Sequence, residues 1–435
     1  MMKNKIKYSS SLVFSMIGSE GFKLATAVYI YKFTSSFWLV SLLYLLIQVP
    51  TFISYLLNKK ITERWKLKNI LFICDLLSLS ILAIILISSF FVIKQNTSPG
   101  DGNTNSYFVF SIFLLVINVF LNIIHSFRFV ALKSIIYYLS SNKKDIKTYN
   151  FLTVLLTSTS ILLGVALSFV LFSKLPFWSI IVFNMITYLI SGILYFKLKP
   201  NAKALNTTAE IEQNKIANSL ETVKIQTKRY IKNIWIYTIA CSFIIGIFLF
   251  PRTVGMSQFF NEIKFEASKS SFVLNISFAA FGFAGSLISF LIKDKNIKLI
   301  WILIPINLLF IMLMPILFSN MNNVGKNIFY LLLLGIQQFF FSLFLAIFYT
   351  NSYLFFKEQQ FKQNTIYTLI FRIISSSLVI ILLTLITIKL GYFISFLFFA
   401  LFIISASIVI SITEYKIYKY RKKWIDEDNL ASTSK

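Results

Sequence analysis

One histidine and two cysteines in a chain of 435 residues leave little of the equipment that side-chain chemistry needs. His125, Cys74 and Cys241 cannot assemble a His/Cys metal cluster. Both cysteines fall inside apolar runs, so no disulfide framework is expected and the redox compartment is not indicated. No G-x-x-x-x-G-K-S/T phosphate loop is present, which excludes ATP hydrolysis by the chain itself. No Ser-His-Asp set or pair of carboxylates within an apolar run can be assembled either, and no cofactor is expected. Acid is scarce as well, with 16 Asp+Glu against 42 Lys+Arg.

What the chain does have is hydrocarbon. Apolar residues make up 57% of it, and mean hydropathy is +0.76, which excludes an ordinary soluble domain. A net charge of +26 would ordinarily raise nucleic acid as a partner. Here the basic residues are spread over many short segments instead of one face. Only six of them are Arg, the side chain that planar phosphate recognition favours. Orientation in a bilayer and contact with anionic lipid headgroups explain this pattern, and no nucleic-acid partner is expected.

Crossing a bilayer core as a helix takes about 20 apolar residues. Twelve runs of that kind lie at 10–31, 36–57, 69–93, 107–128, 149–172, 177–196, 233–256, 270–292, 299–318, 328–354, 365–387 and 392–412. Lys and Arg concentrate at the N-terminus, in the even-numbered gaps and at the C-terminus. In or beside the odd-numbered gaps lie Lys32, Lys94, Lys174, Arg252, Lys264, Lys269, Lys326 and Lys389. Short positive loops remain cytoplasmic, so both termini are expected inside a multi-pass protein of the plasma membrane. The opening residues imitate a signal peptide, ending in Ala25-Thr26-Ala27. Glu20 and Lys23 interrupt the apolar stretch just before that point, so an uncleaved first span is expected.

The longest polar segment, 197–232, divides the chain into six spans plus six and is expected to be a part-helical cytoplasmic linker. The expected organisation is an N-terminal bundle at 1–196, the linker, a C-terminal bundle at 233–413 and a cytoplasmic tail at 414–435. The halves echo each other. Ser36-Phe37 leads into Ile53-Ser54-Tyr55-Leu56-Leu57 and Lys60, and Ser271-Phe272 leads at equal spacing into Ile288-Ser289-Phe290-Leu291-Ile292 and Lys295. Six-helix repeats of this kind build one large class of transporters.

At the exit of the second span the chain reads Glu63-Arg64-Trp65-Lys66-Leu67-Lys68, then reaches Asp75 in the third. This resembles the signature loop of the major facilitator superfamily, and most nearly its macrolide-efflux-like drug exporters. Glu63 stands where that family has Asp. Arg64, Lys68 and Asp75 match its Arg, basic cluster and third-helix acid. Ser15, Gly18, Ala25, Thr34, Ser36, Pro50, Phe127-Arg128, Ala131, Asn150 and the run Phe183–Ser191 resemble further positions, all within about the first 195 residues. Two departures stand out. Gly164 is followed by Val165-Ala166-Leu167-Ser168, without the Pro and further Gly of the antiporter motif. The family's first-span acid aligns with Ser19, while this chain carries Glu20, turned ~100° around the helix. The resemblance implies an all-α fold of twelve transmembrane helices in two six-helix bundles.

Several polar residues lie within spans. Glu20, near mid-bilayer, is costly unless it faces water or a partner, and Lys23 is within reach one turn on. The pair reads as a cavity site for a proton or a cationic substrate group, or as an internally neutralised packing element. Arg372, two turns inside the eleventh span, reads as an anion-binding group, as half of an ion pair, or as a snorkelling side chain. Glu63, Arg64, Lys68 and Asp75 read as a charged latch for gating, with plain loop electrostatics as the alternative. His125 is a proton-relay candidate or a solvated interface residue. Asn118, Asn122, Gln337, Gln338, Gln48 and Asn275 either line a cavity or bond neighbouring helices.

The expected function is secondary active transport by alternating access. The resemblance adds proton-coupled export of an amphiphilic drug or small metabolite; a monomer in contact with membrane lipids is expected. An exporter or flippase of a peptide or lipid-linked product is the first alternative. A membrane-embedded transferase, for which the external loops offer only Asp101, Glu262 and Glu266, and a non-transporting sensor or scaffold are the others.

Overall fold

Inside a bilayer every backbone N–H and C=O has to find a partner within the chain, and a long apolar run achieves this as a helix. The computed structural model describes residues 2–34, 66–95, 104–140, 143–199, 221–248, 267–292, 297–318, 322–355 and 358–433, with isolated positions 39, 42, 43, 46 and 250. Among these residues there are eleven helices and no strand. They are α1 (Met2–Thr34), α2 (Leu67–Gln95), α3 (Thr104–Leu139), α4 (Lys143–Lys174), α5 (Phe177–Phe196), α6 (Glu221–Ile247), α7 (Ala267–Leu291), α8 (Ile300–Phe318), α9 (Asn323–Phe355), α10 (Glu358–Leu390) and α11 (Tyr392–Thr433). Each overlaps one expected span. The remaining expected span, 36–57, falls outside the described residues except for Leu39, Leu42, Leu43 and Leu46, so twelve helices are not counted here.

Eight helices, α2 to α6 and α9 to α11, are long and apolar enough to cross a membrane, and α7 and α8 contain shorter apolar stretches. The chain is a multi-pass membrane protein. Several helices exceed their apolar runs. α3 continues past residue 128 to Leu139, because Val130, Ala131, Leu132, Ile135 and Ile136 bury themselves against other helices instead of forming the expected loop. α11 runs to Thr433 through what was expected to be a tail, and residues 221–232 of the linker begin α6.

Helices α1 to α5 pack on one another, as do α6 to α11, and α4 on α7, α4 on α9, and α3 on α10 join the two groups. Hydrogen bonds cross that junction. Asn150 donates its amide to the Ala346 carbonyl at 3.1 Å and to Thr350 Oγ1 at 2.8 Å, and the Ser158 and Ser286 hydroxyls meet at 2.6 Å. Within the second group, the Glu414 carboxylate accepts from Leu299 N and Ile300 N at 2.9 and 3.3 Å, which satisfies the orphan donors where α8 begins.

α1 is the central helix of its group and touches α3, α4 and α5. Small residues let it approach α4 closely: a Cβ on Gly164 would meet the Ile17 carbonyl oxygen at 2.7 Å, and one on Gly21 the Gly164 carbonyl oxygen at 2.9 Å. Backbone meets backbone, so neither side can yield by rotating a side chain. Gly164 therefore has a packing reason of its own. Gly164→Leu is expected to destabilise the protein by about 1–3 kcal/mol through overpacking, checked as a lowered thermal midpoint in detergent. An unchanged midpoint would mean that the two helices do not touch.

Candidate functional site

A half-exposed stripe runs along α1 through Val13, Met16, Glu20 and Lys23, positions three or four apart and so on one face. One turn further the face closes: Ala27 and Ile30 are buried with Leu43 and Leu115. Glu20 and Lys23 thus sit at the end of this partly exposed stripe, where burial begins. They pair at 2.9 Å, with side chains 26% and 32% exposed. The reach expected from one-turn spacing is realised. Ser19, the position that aligns with the family acid, is buried, and its hydroxyl bonds the Met16 carbonyl at 3.3 Å.

The pair does not stand alone. Lys23 lies within electrostatic range of His125 on α3, and Glu20 within range of Tyr188 on α5. The Tyr188 hydroxyl and His125 Nε2 are hydrogen bonded at 2.8 Å. One turn along α3 from His125, Arg128 is sandwiched by the rings of Tyr188 and Tyr195, 5.9 and 5.8 Å from its guanidinium carbon. Its Nε then meets Asp75 Oδ1 on α2 at 3.0 Å. The second Asp75 oxygen accepts a hydrogen bond from Ser191 on α5. Arg128 is 4% exposed and Asp75 1%. The Nε contact is close but not aligned as a hydrogen bond, so charge rather than direction binds the two. A chain of ionisable groups therefore links α1, α3, α5 and α2.

Asp75 is two turns inside α2, and its described partners are on α3 and α5. Glu63 and Arg64 lie outside the described residues, so a latch joining them to Asp75 is not seen. Lys68, at the start of α2, rests over the Phe196 ring at 5.6 Å. Asn118 and Asn122 are buried on α3 and donate to carbonyls of their own helix, Leu114 and Asn118, at 2.8 and 2.7 Å. Gln337 is fully buried and reaches the Ile306 carbonyl on α8 at 3.5 Å, which joins helices within the second group. Gln338 packs beside Gly282 on α7, and Gln48 is not described.

Arg372 on α10 has no carboxylate partner among the described residues. Its electrostatic neighbours are Lys133 on α3 and Tyr349 on α9. Sequence reasoning missed Lys133, which is 4% exposed, because it lies where a cytoplasmic loop was expected. The signal was the apolar run around it, Val130 to Ile136, which a solvated loop would not need. Among the described residues no group of His, Cys, Asp and Glu is arranged to hold a metal ion.

No protein-family model matches this sequence, and no curated protein matches it. Solved structures do match in fold. The crystal structure of the human organic anion transporter MFSD10 (TETRAN) superposes with a TM-score of 0.60 at 10% identity, covering 94% of this chain and 99% of that one. A bacterial homologue of the iron transporter ferroportin, in an outward-facing state with soaked iron, gives 0.61 at 11% identity, covering 95% and 99%. Both extend over nearly the whole chain, so this chain shares the fold of these two proteins.

Proposed function

We propose that this protein is a secondary transporter in which two helical bundles, 1–196 and 233–413, rock against each other around a site built on α1. The ionisable chain that starts at Glu20 carries this reading. A partly exposed acid on a helix packed inside its group, joined to a salt-bridged lysine and within range of a tyrosine–histidine pair, is an arrangement a proton or a cationic group can use. The shared fold supports movement of a solute, while iron and organic anions are what the two solved proteins are named for. Resemblance to the macrolide-efflux branch adds direction and driving force: proton-driven export of an amphiphilic drug or small metabolite across the plasma membrane, with both termini cytoplasmic. Asp75, with Glu63, Arg64 and Lys68, holds the closed state on the terminal side.

Two experiments test this. Expression in an efflux-deficient host, with a panel of antibiotics and dyes, is expected to lower accumulation of at least one compound and to do so only without a protonophore. Extrusion that ignores the protonophore would remove the proton. The second experiment uses the 2.6 Å approach of Ser158 and Ser286. Cysteines at both positions are close enough to bridge, and the native Cys74 and Cys241 are buried. Oxidation is expected to stop transport and reduction to restore it. Full activity in the cross-linked protein would exclude a rocking motion at this junction.

A further inference from the structure

Where α3 meets α9 and α10, a small cleft brings together groups that none of the roles above uses. Lys133 enters it from α3, and Asn364 and Thr368 from α10. Arg372 follows one turn beyond Thr368, so Asn364, Thr368 and Arg372 form one face of α10 at four-residue spacing. The Lys133 ammonium lies 3.8 Å from the centre of the Tyr349 ring. That contact recovers only part of what a buried ammonium loses on leaving water. No acidic side chain pairs with Lys133 or Arg372 among the described residues, yet the two cations lie within electrostatic range of each other. Thr368 Oγ1 and Asn364 Oδ1 are buried without hydrogen-bond partners, in residues 5% and 1% exposed.

Two like charges within electrostatic range of each other repel, and the unpartnered Thr368 hydroxyl beside them adds to the cost. One species corrects both faults: an anion that sits between the cations and accepts from the Thr368 hydroxyl. Phe129 and Phe348 also line the cleft, whose free space is about that of one water molecule, so an apolar body attached to the charge would have to part these rings. We infer that Lys133 and Arg372, one from each helix group, form a subsite for the carboxylate or phosphate of an amphiphilic anion. Because the two cations belong to different groups, the bound anion draws the groups together at this point. That the anion is cargo rests on the transport reading; that the subsite binds one does not.

The test is binding to purified protein, followed as the thermal midpoint by tryptophan fluorescence. The probes are 4-phenylbutyrate, inorganic phosphate and, as an uncharged control, 4-phenylbutanol. Phenylbutyrate is expected to raise the wild-type midpoint by about 2 °C or more at saturation, and phenylbutanol to leave it unchanged. Lys133→Gln and Arg372→Gln are expected to abolish the shift, and Lys133→Arg to retain it. In wild-type protein alone, sulfate is expected to compete the shift away, which keeps the test decisive if a Gln variant fails to fold. Nanodiscs of phosphatidylcholine with and without phosphatidylglycerol separate the two sources of the anion. Stabilisation that needs both Lys133 and the anionic lipid makes a headgroup the occupant, and stabilisation by soluble anion in either lipid makes it a solute. A shift that survives both Gln variants, one that sulfate does not compete, or no anion effect in any medium overturns the assignment.

Discussion

Arg128→Ala is expected to destabilise the folded protein by about 3–5 kcal/mol, the range for leaving one member of a buried ion pair without its partner. Asp75 is 1% exposed, and the carboxylate cannot turn to water when the guanidinium is gone. Ser191 would remain its only described donor, and the rings of Tyr188 and Tyr195 would lose the cation between them. The measurement is the fraction of monodisperse protein recovered in detergent, together with its thermal midpoint. The double variant Asp75→Asn/Arg128→Gln separates charge from packing. Removing both charges together relieves the desolvation cost as well as the attraction, so the pair is expected to recover much of the lost stability. A double variant as unstable as Arg128→Ala would show that shape, not charge, governs this contact. So would an Arg128→Ala protein of wild-type stability.

Glu20→Gln is expected to lower proton-driven extrusion about tenfold or more, within the usual range for coupling between two sites, while leaving the thermal midpoint nearly unchanged. The side chain is partly exposed, so losing its charge costs the fold little. The packing alternative predicts a different pattern. If Glu20 and Lys23 merely neutralise each other, Lys23→Gln alone should be as harmful as Glu20→Gln, and the double neutral variant should restore activity. If Glu20 carries the proton, the double variant remains inactive. Exchanging the charges, Glu20→Lys with Lys23→Glu, keeps the pair but moves the acid one turn along α1, so it should fold and fail to couple. Restored proton-driven extrusion in the double neutral variant would end the carrier role.

The positions of the helices were legible from hydropathy, because a bilayer imposes one length and one secondary structure on every apolar run. The Glu20–Lys23 contact was legible for the same kind of reason, since helix geometry alone brings such neighbours together. Partners on different helices were not. Asp75 suggested a latch at its own helix exit, and nothing in the local sequence pointed to Arg128, Ser191 or the two tyrosines around them. Lys133 was hidden by the rule that orients the chain. Positive charge between spans reads as cytoplasmic loop, and this lysine was counted there although α3 carries it, buried, past the expected end of the span. Gln337, for which the sequence left open a cavity lining or a bond to a neighbouring helix, reaches from α9 to α8.

The contact of α1 with α4 has a consequence for leakage. With Gly21 and Gly164 leaving no space between the two backbones, α1 cannot swivel about its own axis while its neighbour stays still. The carboxylate it bears would change its surroundings only when the whole group turns. In a carrier, such stiffness prevents a proton from slipping through on a stray local fluctuation and ties every crossing to a full stroke.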